Sequence, residues 1–371
     1  MTRKIRLVGL TLGDPLSPSS RSGVNYQVFS RLSQQCDLVG VYDLDLRGLR
    51  KGLSALKSFS FNRRNWGNRL HQNPWAFDIR SSMAENLLRD LDGSYDFIYQ
   101  DGAMFMPGMN TRRHYASYHD CNVILAAGGG ALTQGAHYKG IALDKAIERE
   151  RTVYQGASVV FTMSEWLKMS LVKDFGIPEE KIITVYAGTN IQPQHFEKIF
   201  DGKTILFVGK NFERKGGQIL LKAFEVVRKE IPDAKLIIIG PRLNLNANGI
   251  FVLGPVNDSK VLSKYFREAS VFVLPSRFEP FGIVFAEAFT HKTPCIGSDI
   301  CAMPEIIEEG KGGYVVPPDD HVILAKRIIE LLKNERLARQ MGEFGFKKAL
   351  EIFNWDVIIE KMVAHLTKLR K

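Results

Sequence analysis

Cysteine is scarce: the 371 residues hold four, Cys36, Cys121, Cys295 and Cys301, with no C-x-x-C pair among them. Such scatter excludes a disulfide framework and a zinc ribbon, and it fits small buried hydrophobes in a reducing compartment. No apolar run approaches the roughly 18 residues that cross a bilayer. Met1-Thr2-Arg3-Lys4 leads straight into a strand pattern, so neither a signal peptide nor a membrane anchor is expected. The loop after that first strand is not G-x-G-x-x-G and has no acidic residue placed to read a ribose, which excludes an ordinary dinucleotide dehydrogenase. Gly128-Gly129-Gly130 has no Lys-Ser or Lys-Thr behind it, so it reads as a loop near a cleft rather than a P-loop. Acidic residues nearly vanish over 47–89, where Asp78 and Glu85 stand against nine basic residues for a local charge of +7.

The rest of the composition is ordinary. A 45% hydrophobic and 24% charged chain of this length supplies two globular cores rather than a disordered segment. The net charge of +10 admits nucleic acid, an anionic membrane or an acidic substrate as partner. Trp66, Trp75 and the phenylalanines at 59, 61 and 77 are interleaved with the basic stretch, as in a segment lying at a lipid interface, although a solvated loop over a few packed aromatics would look the same. No nucleic-acid-binding motif accompanies the charge.

Short β-branched runs alternate with helical periodicity throughout. Residues 5–12, 38–42, 97–100, 115–118, 159–161 and 181–185 are expected to be buried parallel strands. The rhythm restarts at 204–209 and continues through strands at 235–239, 250–253, 271–274, 294–296 and 314–316. Helices are expected at about 217–230, 258–268, 282–291, 320–333 and 335–352. The spacing therefore predicts an α/β protein of two doubly wound domains, 1–190 and 203–352, joined near 188–203. An amphipathic helix over 353–371 follows, a candidate to pack back on the first domain.

The most informative stretch is Pro275-Ser276-Arg277-Phe278-Glu279-Pro280-Phe281-Gly282-Ile283, which leaves a strand and opens a helix that carries Glu287. Ligands of open parallel sheets bind beyond the carboxyl ends of strands. Free amides at Phe281, Gly282 and Ile283 would favour an anion such as a diphosphate. Two carboxylates flanking that anion would accept hydrogen bonds from hydroxyls on either side of it, as a sugar nucleotide offers.

Glu279-x7-Glu287 enclosing Phe281-Gly282, with Met303-Pro304-Glu305-Ile306-Ile307 downstream, resembles the signature of retaining GT-B glycosyltransferases of family four, the glycosyl transferases group 1. Phe207-Val208-Gly209 followed by Glu213-Arg214-Lys215-Gly216-Gly217, Ser164-Glu165, Phe175-Gly176-Ile177-Pro178 and Gly188-Thr189-Asn190 agree. The likeness is dense over about 150–350 and thinner before 115. It implies two Rossmann-like domains facing a cleft, with a nucleotide sugar held mostly by the second.

By that resemblance Lys215 stabilises the departing diphosphate together with Arg214 or Lys210. Glu287 holds the ribose, Glu279 orients the donor sugar, and His119 lines the acceptor side, with His114 and His137 as rivals. Gly23 is the glycine of the first loop, 13–23, that approaches the donor. Asp43-Leu44-Asp45 and Asp90-Leu91-Asp92 both match the D-x-D metal motif of the other large glycosyltransferase fold, and neither belongs to this constellation. The expected activity is retaining transfer of a sugar from a nucleoside-diphosphate donor to a hydroxyl of a glycan, lipid or small molecule. It would need no metal and no cofactor. Nucleic acid is excluded as a partner, and the location is cytoplasmic, with the inner membrane face as a candidate docking surface. A sugar-nucleotide epimerase and a non-catalytic GT-B binding module remain as alternatives. A phosphorylase would need a pyridoxal-phosphate lysine that nothing here singles out.

Overall fold

A computed structural model describes residues 3–17, 20–108, 114–129, 133, 138–192 and 196–370, with the side chains of 63–65 left out. The chain forms two units, one of 1–186 with 355–371 and one of 187–354. The expected connector at 188–203 is thus part of the second unit, whose Thr189 amide donates to the Phe353 carbonyl at 2.9 Å.

The first unit opens with β1 (Arg6–Thr11), α1 (Val24–Gln35) and β2 (Asp37–Asp43). Three helices follow, α2 (Gly48–Lys57), α3 (Arg63–Gln72) and α4 (Pro74–Asp90), and then β3 (Phe97–Asp101) and β4 (Tyr115–His119). The remainder is α5 (Val123–Gly128), α6 (Ile141–Gly156), β5 (Val159–Thr162), α7 (Glu165–Phe175) and β6 (Ile182–Thr184). The second unit runs β7 (Thr204–Val208), α8 (Gly217–Glu230), β8 (Lys235–Ile239), β9 (Ile250–Gly254), α9 (Ser259–Glu268) and β10 (Val271–Leu274). It continues with α10 (Ile283–Phe289), β11 (Cys295–Ser298), α11 (Met303–Ile307), β12 (Gly313–Val316), α12 (His321–Lys333) and α13 (Glu335–Glu351). The last helix, α14 (Trp355–Leu369), belongs to the first unit.

Each unit holds one six-stranded sheet, ordered β2-β1-β3-β4-β5-β6 and β12-β11-β10-β7-β8-β9. All pairings are parallel. Parallel strands are covered on both faces, hence the continuous apolar runs that made them visible in the sequence. In the first sheet Leu7, Val8, Leu10, Ile98, Tyr118 and Val160 are all fully buried. Strand order reverses between β1 and β3 in one sheet and between β7 and β10 in the other. Those are the points where a doubly wound sheet offers a crevice at its carboxyl edge.

Local signals place the helices. Ser164 caps α7 by accepting from the Leu167 amide at 3.1 Å, and Gly176 ends that helix in the left-handed region. Asn73 caps α4 and Asp320 caps α12 in the same way. α14 is tied to the first unit by Arg31 to Asp356 at 2.6 Å and by Lys361 Nζ donating to the Thr184 carbonyl at 2.6 Å.

The two acids of Asp43-Leu44-Asp45 have structural work. Asp43 accepts from the amides of Gly13 and Asp45, each at 2.8 Å, and so fixes the start of the first loop. Asp45 accepts from Arg80, a fully buried guanidinium, at 3.1 Å. The neighbouring His71 ring together with Arg80 holds the Asp45 carboxyl well below the usual range. Arg80 therefore does not contribute to the exposed basic surface. Arg80→Met would leave Asp45 without its buried partner and should lower unfolding stability by about 2–3 kcal/mol in urea titration, less than for a fully buried pair because Asp45 keeps some water. A loss under about 0.5 kcal/mol would refute that role.

Candidate active site

The loops after β7 and β10 meet at the switch point of the second sheet. The first runs from Gly209 to Gly216. Phe212 anchors it by packing edge-on against Phe207 at 5.5 Å, and the Asn211 side chain accepts from the Arg214 amide at 3.0 Å. The second loop is tied to the first by the Arg277 amide, which donates to the Arg214 carbonyl at 2.8 Å.

Glycine is required where the loops touch. Gly216 has φ +73°, and a β-carbon there would lie 1.8 Å from the Pro275 carbonyl oxygen. One at Gly209 would lie 2.1 Å from Lys215 Cδ. The two hydrogens thus let the Lys215 stem fold over the end of β7.

Lys215 Nζ then donates to Glu279 Oε2 at 2.8 Å, and Arg214 Nη1 approaches the same oxygen at 3.4 Å while also donating to the Phe278 carbonyl. All three side chains are largely buried. Burial alone would raise the Glu279 carboxyl. The Lys215 and Arg214 charges outweigh it and hold the group below its ordinary value. The structure therefore joins three of the expected residues in one ion-paired cluster, while Lys210 is exposed on the same loop.

Helix α10 starts at Ile283, with Gly282 as N-cap at φ +82°, so the helix opens two residues later than Phe281. The Phe281 ring is buried edge-on against Phe353 at 6.0 Å, a packing role. Glu287 lies just over one turn in and accepts from Asn190 Nδ2 at 3.4 Å. Burial pushes its carboxyl up to about 7, with Asn190 and Lys215 opposing weakly. Two further polar groups escape sequence reasoning, the hydroxyls of Ser276 and Ser298. Both are fully buried just at or beyond the carboxyl ends of β10 and β11, without a hydrogen-bond partner among the described residues. Serine is too common for its residue type alone to have flagged them.

In the first unit Gly23 has φ +84° and is the N-cap of α1. It follows two other left-handed residues, Arg21 (φ 45°) and Ser22 (φ 55°). Runs of such residues concentrate at functional sites because they cost backbone strain. Arg21 pairs with Asp101 at the end of β3 and with Asp120 at 3.0 Å, so it bridges the reversal point of this sheet. Nothing in the sequence singles out Arg21, since a lone Arg in a loop carries no signal.

His119 ends β4, is 1% exposed and packs edge-on against Tyr154 at 5.0 Å. Burial, helped by the Arg21 charge, lowers it to about 3, so the ring is neutral, and its Nε2 has no hydrogen-bond partner among the described residues. Tyr154 in turn donates to Glu150 at 3.1 Å, and Glu150 accepts from the Val123 amide at 2.9 Å. Of the rival histidines, His114 is exposed and pairs with Ser158 at 3.0 Å. His137, Gly130 and residues 18–19 of the first loop lie outside the described residues. Among the described residues no group of three or more His, Cys, Asp or Glu is placed to hold a metal ion.

Two all-parallel doubly wound units, the second with a cation-paired carboxylate at its switch point, define the GT-B architecture. Sucrose-phosphate synthase from Thermosynechococcus elongatus superposes over 99% of this chain and 99% of its own, with a TM-score of 0.71 at 17% identity. Residues 190–348 match the family described as glycosyl transferases group 1. The likeness to that family rests on this segment. The match takes in the Arg214–Lys215–Glu279 cluster and Glu287 but neither Gly23 nor His119. Spore coat protein SA of Bacillus subtilis (strain 168) is 26% identical over 269 residues, 63% of this chain and 71% of that protein. Phosphatidyl-myo-inositol mannosyltransferase of Mycobacterium leprae (strain TN) is 33% identical over 172 residues, 44% of this chain and 46% of that protein.

Because Glu279 titrates below its ordinary value, its pairing stabilises the fold above about pH 4.5 and loses that effect as the pH falls. Lys215→Met should therefore cost about 2 kcal/mol at pH 7 and less near pH 3.5, measured by urea unfolding at both. A difference from the parent protein that does not vary with pH would refute the assignment.

Proposed function

We propose that the chain transfers a hexose from a nucleoside-diphosphate donor to an acceptor hydroxyl with retention at the anomeric carbon and without a metal ion. The observation that carries this reading is the Arg214–Lys215–Glu279 cluster at the second sheet's switch point, eight residues before Glu287. Lys215 and Arg214 are paired cations that a diphosphate can recruit, stabilising the charge that develops as the leaving group departs. Lys210 on the same loop adds positive potential. Glu279, released from part of that pairing, accepts from hydroxyls of the donor sugar. Glu287 accepts from the ribose hydroxyls, and the amides at 281–283 face the diphosphate.

His119 is neutral and so suited to hydrogen-bond a sugar hydroxyl rather than to carry charge. Gly23 gives the first loop its close approach, and the first unit takes the acceptor, a hydroxyl of a glycan, lipid or small molecule. In the step itself the acceptor oxygen bonds to the anomeric carbon on the face from which the phosphate oxygen leaves. The acceptor proton passes to that leaving oxygen, so no protein base or covalent nucleophile is needed. A nucleotide-sugar donor implies work on the cytoplasmic side.

The test is nucleoside-diphosphate release from a panel of UDP- and GDP-sugars, with and without glycan and glycolipid acceptors, and NMR of the product anomer. Acceptor-dependent release with the donor's configuration kept is the expected result. An inverted product would overturn the mechanism, and binding without release would favour a non-catalytic module.

Glu287 adds a pH signature. Its raised value leaves it mostly protonated below about pH 7, whereas ribose hydroxyls are best held by the ionised form. Affinity for an intact nucleotide sugar, measured by calorimetry, should therefore rise from pH 6 to pH 8, and Glu287→Gln should flatten the rise and weaken binding at pH 8. A parent protein with pH-independent affinity would contradict the ribose role.

A further inference from the structure

Helix α2 is inside out. Its buried positions are polar: Ser54 is fully buried, accepts from Asn73 Nδ2 at 2.7 Å and donates to the Leu70 carbonyl at 2.7 Å. Ser58, just past the helix, is also buried and donates to the Ser54 carbonyl at 2.7 Å. The apolar positions instead face outward. Leu49, Leu53 and Leu56 are 88%, 47% and 75% exposed, and their i, i+4, i+7 spacing puts them on one stripe. The stripe continues into the next loop with Phe59 at 56% and Phe61 at 97% exposed, the two rings edge to face at 5.2 Å. Trp66 of α3 braces Phe59 at 5.6 Å and donates its indole N–H to the Ala55 carbonyl at 2.8 Å. A water-facing helix would bury its leucines and expose its serines. An outward apolar stripe of this kind marks a surface that is covered in use.

Charge selects the cover. Residues 46–77 hold seven basic residues and no acidic one, and Arg47, Arg50, Lys51 and Lys57 are exposed around the leucines. A second copy docking on this face would set two such patches against each other, at a cost in like-charge repulsion. Nucleic acid would satisfy the cations and leave the leucines in water. An anionic bilayer satisfies both, with acyl chains for Leu49, Leu53, Leu56 and Phe61 and headgroup phosphates for the rim of cations. We propose that the α2 stripe and the loop after it form a docking face for an anionic lipid surface, holding the first unit at the membrane. This inference stands apart from the donor chemistry and does not depend on it.

The test is co-sedimentation of the full chain with vesicles of phosphatidylcholine alone or mixed with phosphatidylglycerol, at low and high salt. The parent protein should pellet with the mixed vesicles only, less so at high salt. Leu49→Ser combined with Leu56→Ser and Phe61→Ser should lower the partition coefficient at least about tenfold, because three side chains lose their burial. Arg50→Gln combined with Lys51→Gln and Lys57→Gln should lower it similarly and blunt the salt dependence. These positions are exposed, so both variants should keep the parent melting temperature, which checks that each is folded. Protein left in the supernatant with both vesicle types, or binding that the variants leave unchanged, overturns the proposal. So does light scattering that finds a dimer which the leucine variant dissolves, since the face would then belong to a second copy.

Discussion

A buried carboxylate that must stay charged organises the second unit. Glu279 cannot sit among apolar neighbours as an anion unless cations reach it, and here the cations come from a different loop sixty-odd residues earlier in the chain. That requirement draws the segments after β7 and β10 together. It also dictates glycine at 209 and 216, where a single methyl group would strike the Lys215 stem or the Pro275 carbonyl. It explains as well why the site sits where the strand order reverses. Only there do two outgoing loops diverge from neighbouring strands and leave room for a ligand beside their shared charges.

Glu279 and Glu287 show how one residue type is given two roles by its surroundings. They are eight residues apart, yet one is held ionised by Lys215 and Arg214 while burial, opposed only weakly by the Asn190 amide at 3.4 Å and by Lys215, pushes the other up to about 7. His119 follows the same logic in the first unit, where burial beside a guanidinium keeps it uncharged.

The strands were legible in the sequence because parallel strands buried on both faces read as unbroken apolar runs, and all twelve of those expected are present. The later helices were legible from caps such as Asp320 and from their period. Helices α2 and α3 were not, since α2 reverses the usual inward and outward pattern and α3 has only Trp66 and Leu70 as large apolar residues. The carboxylate pair could be read because it encloses Phe281-Gly282 just after a strand, and Lys215 through the family resemblance. Ser276, Ser298 and Asn190 depend on distant segments meeting, and Arg21 depends on backbone conformation; residue type reveals neither. The basic stretch also changed meaning. Arg80 proved to be a core cation, and Phe77 packs against the first unit's core, while the leucines of α2, unremarkable in the sequence, proved to be exposed beside Phe59 and Phe61.

Helix α14 has a consequence for how the chain matures. The first unit begins with β1 but closes only with a helix synthesised after the whole second unit, whose residues interrupt it as an insertion with two tethers. During translation the first sheet therefore waits without the helix that covers α1, while 187–354 can complete its own core. Loss of the final fifteen or so residues would act on the beginning of the protein rather than on the neighbouring second unit, stripping α1 of its contact with α14 and leaving the first unit prone to aggregate.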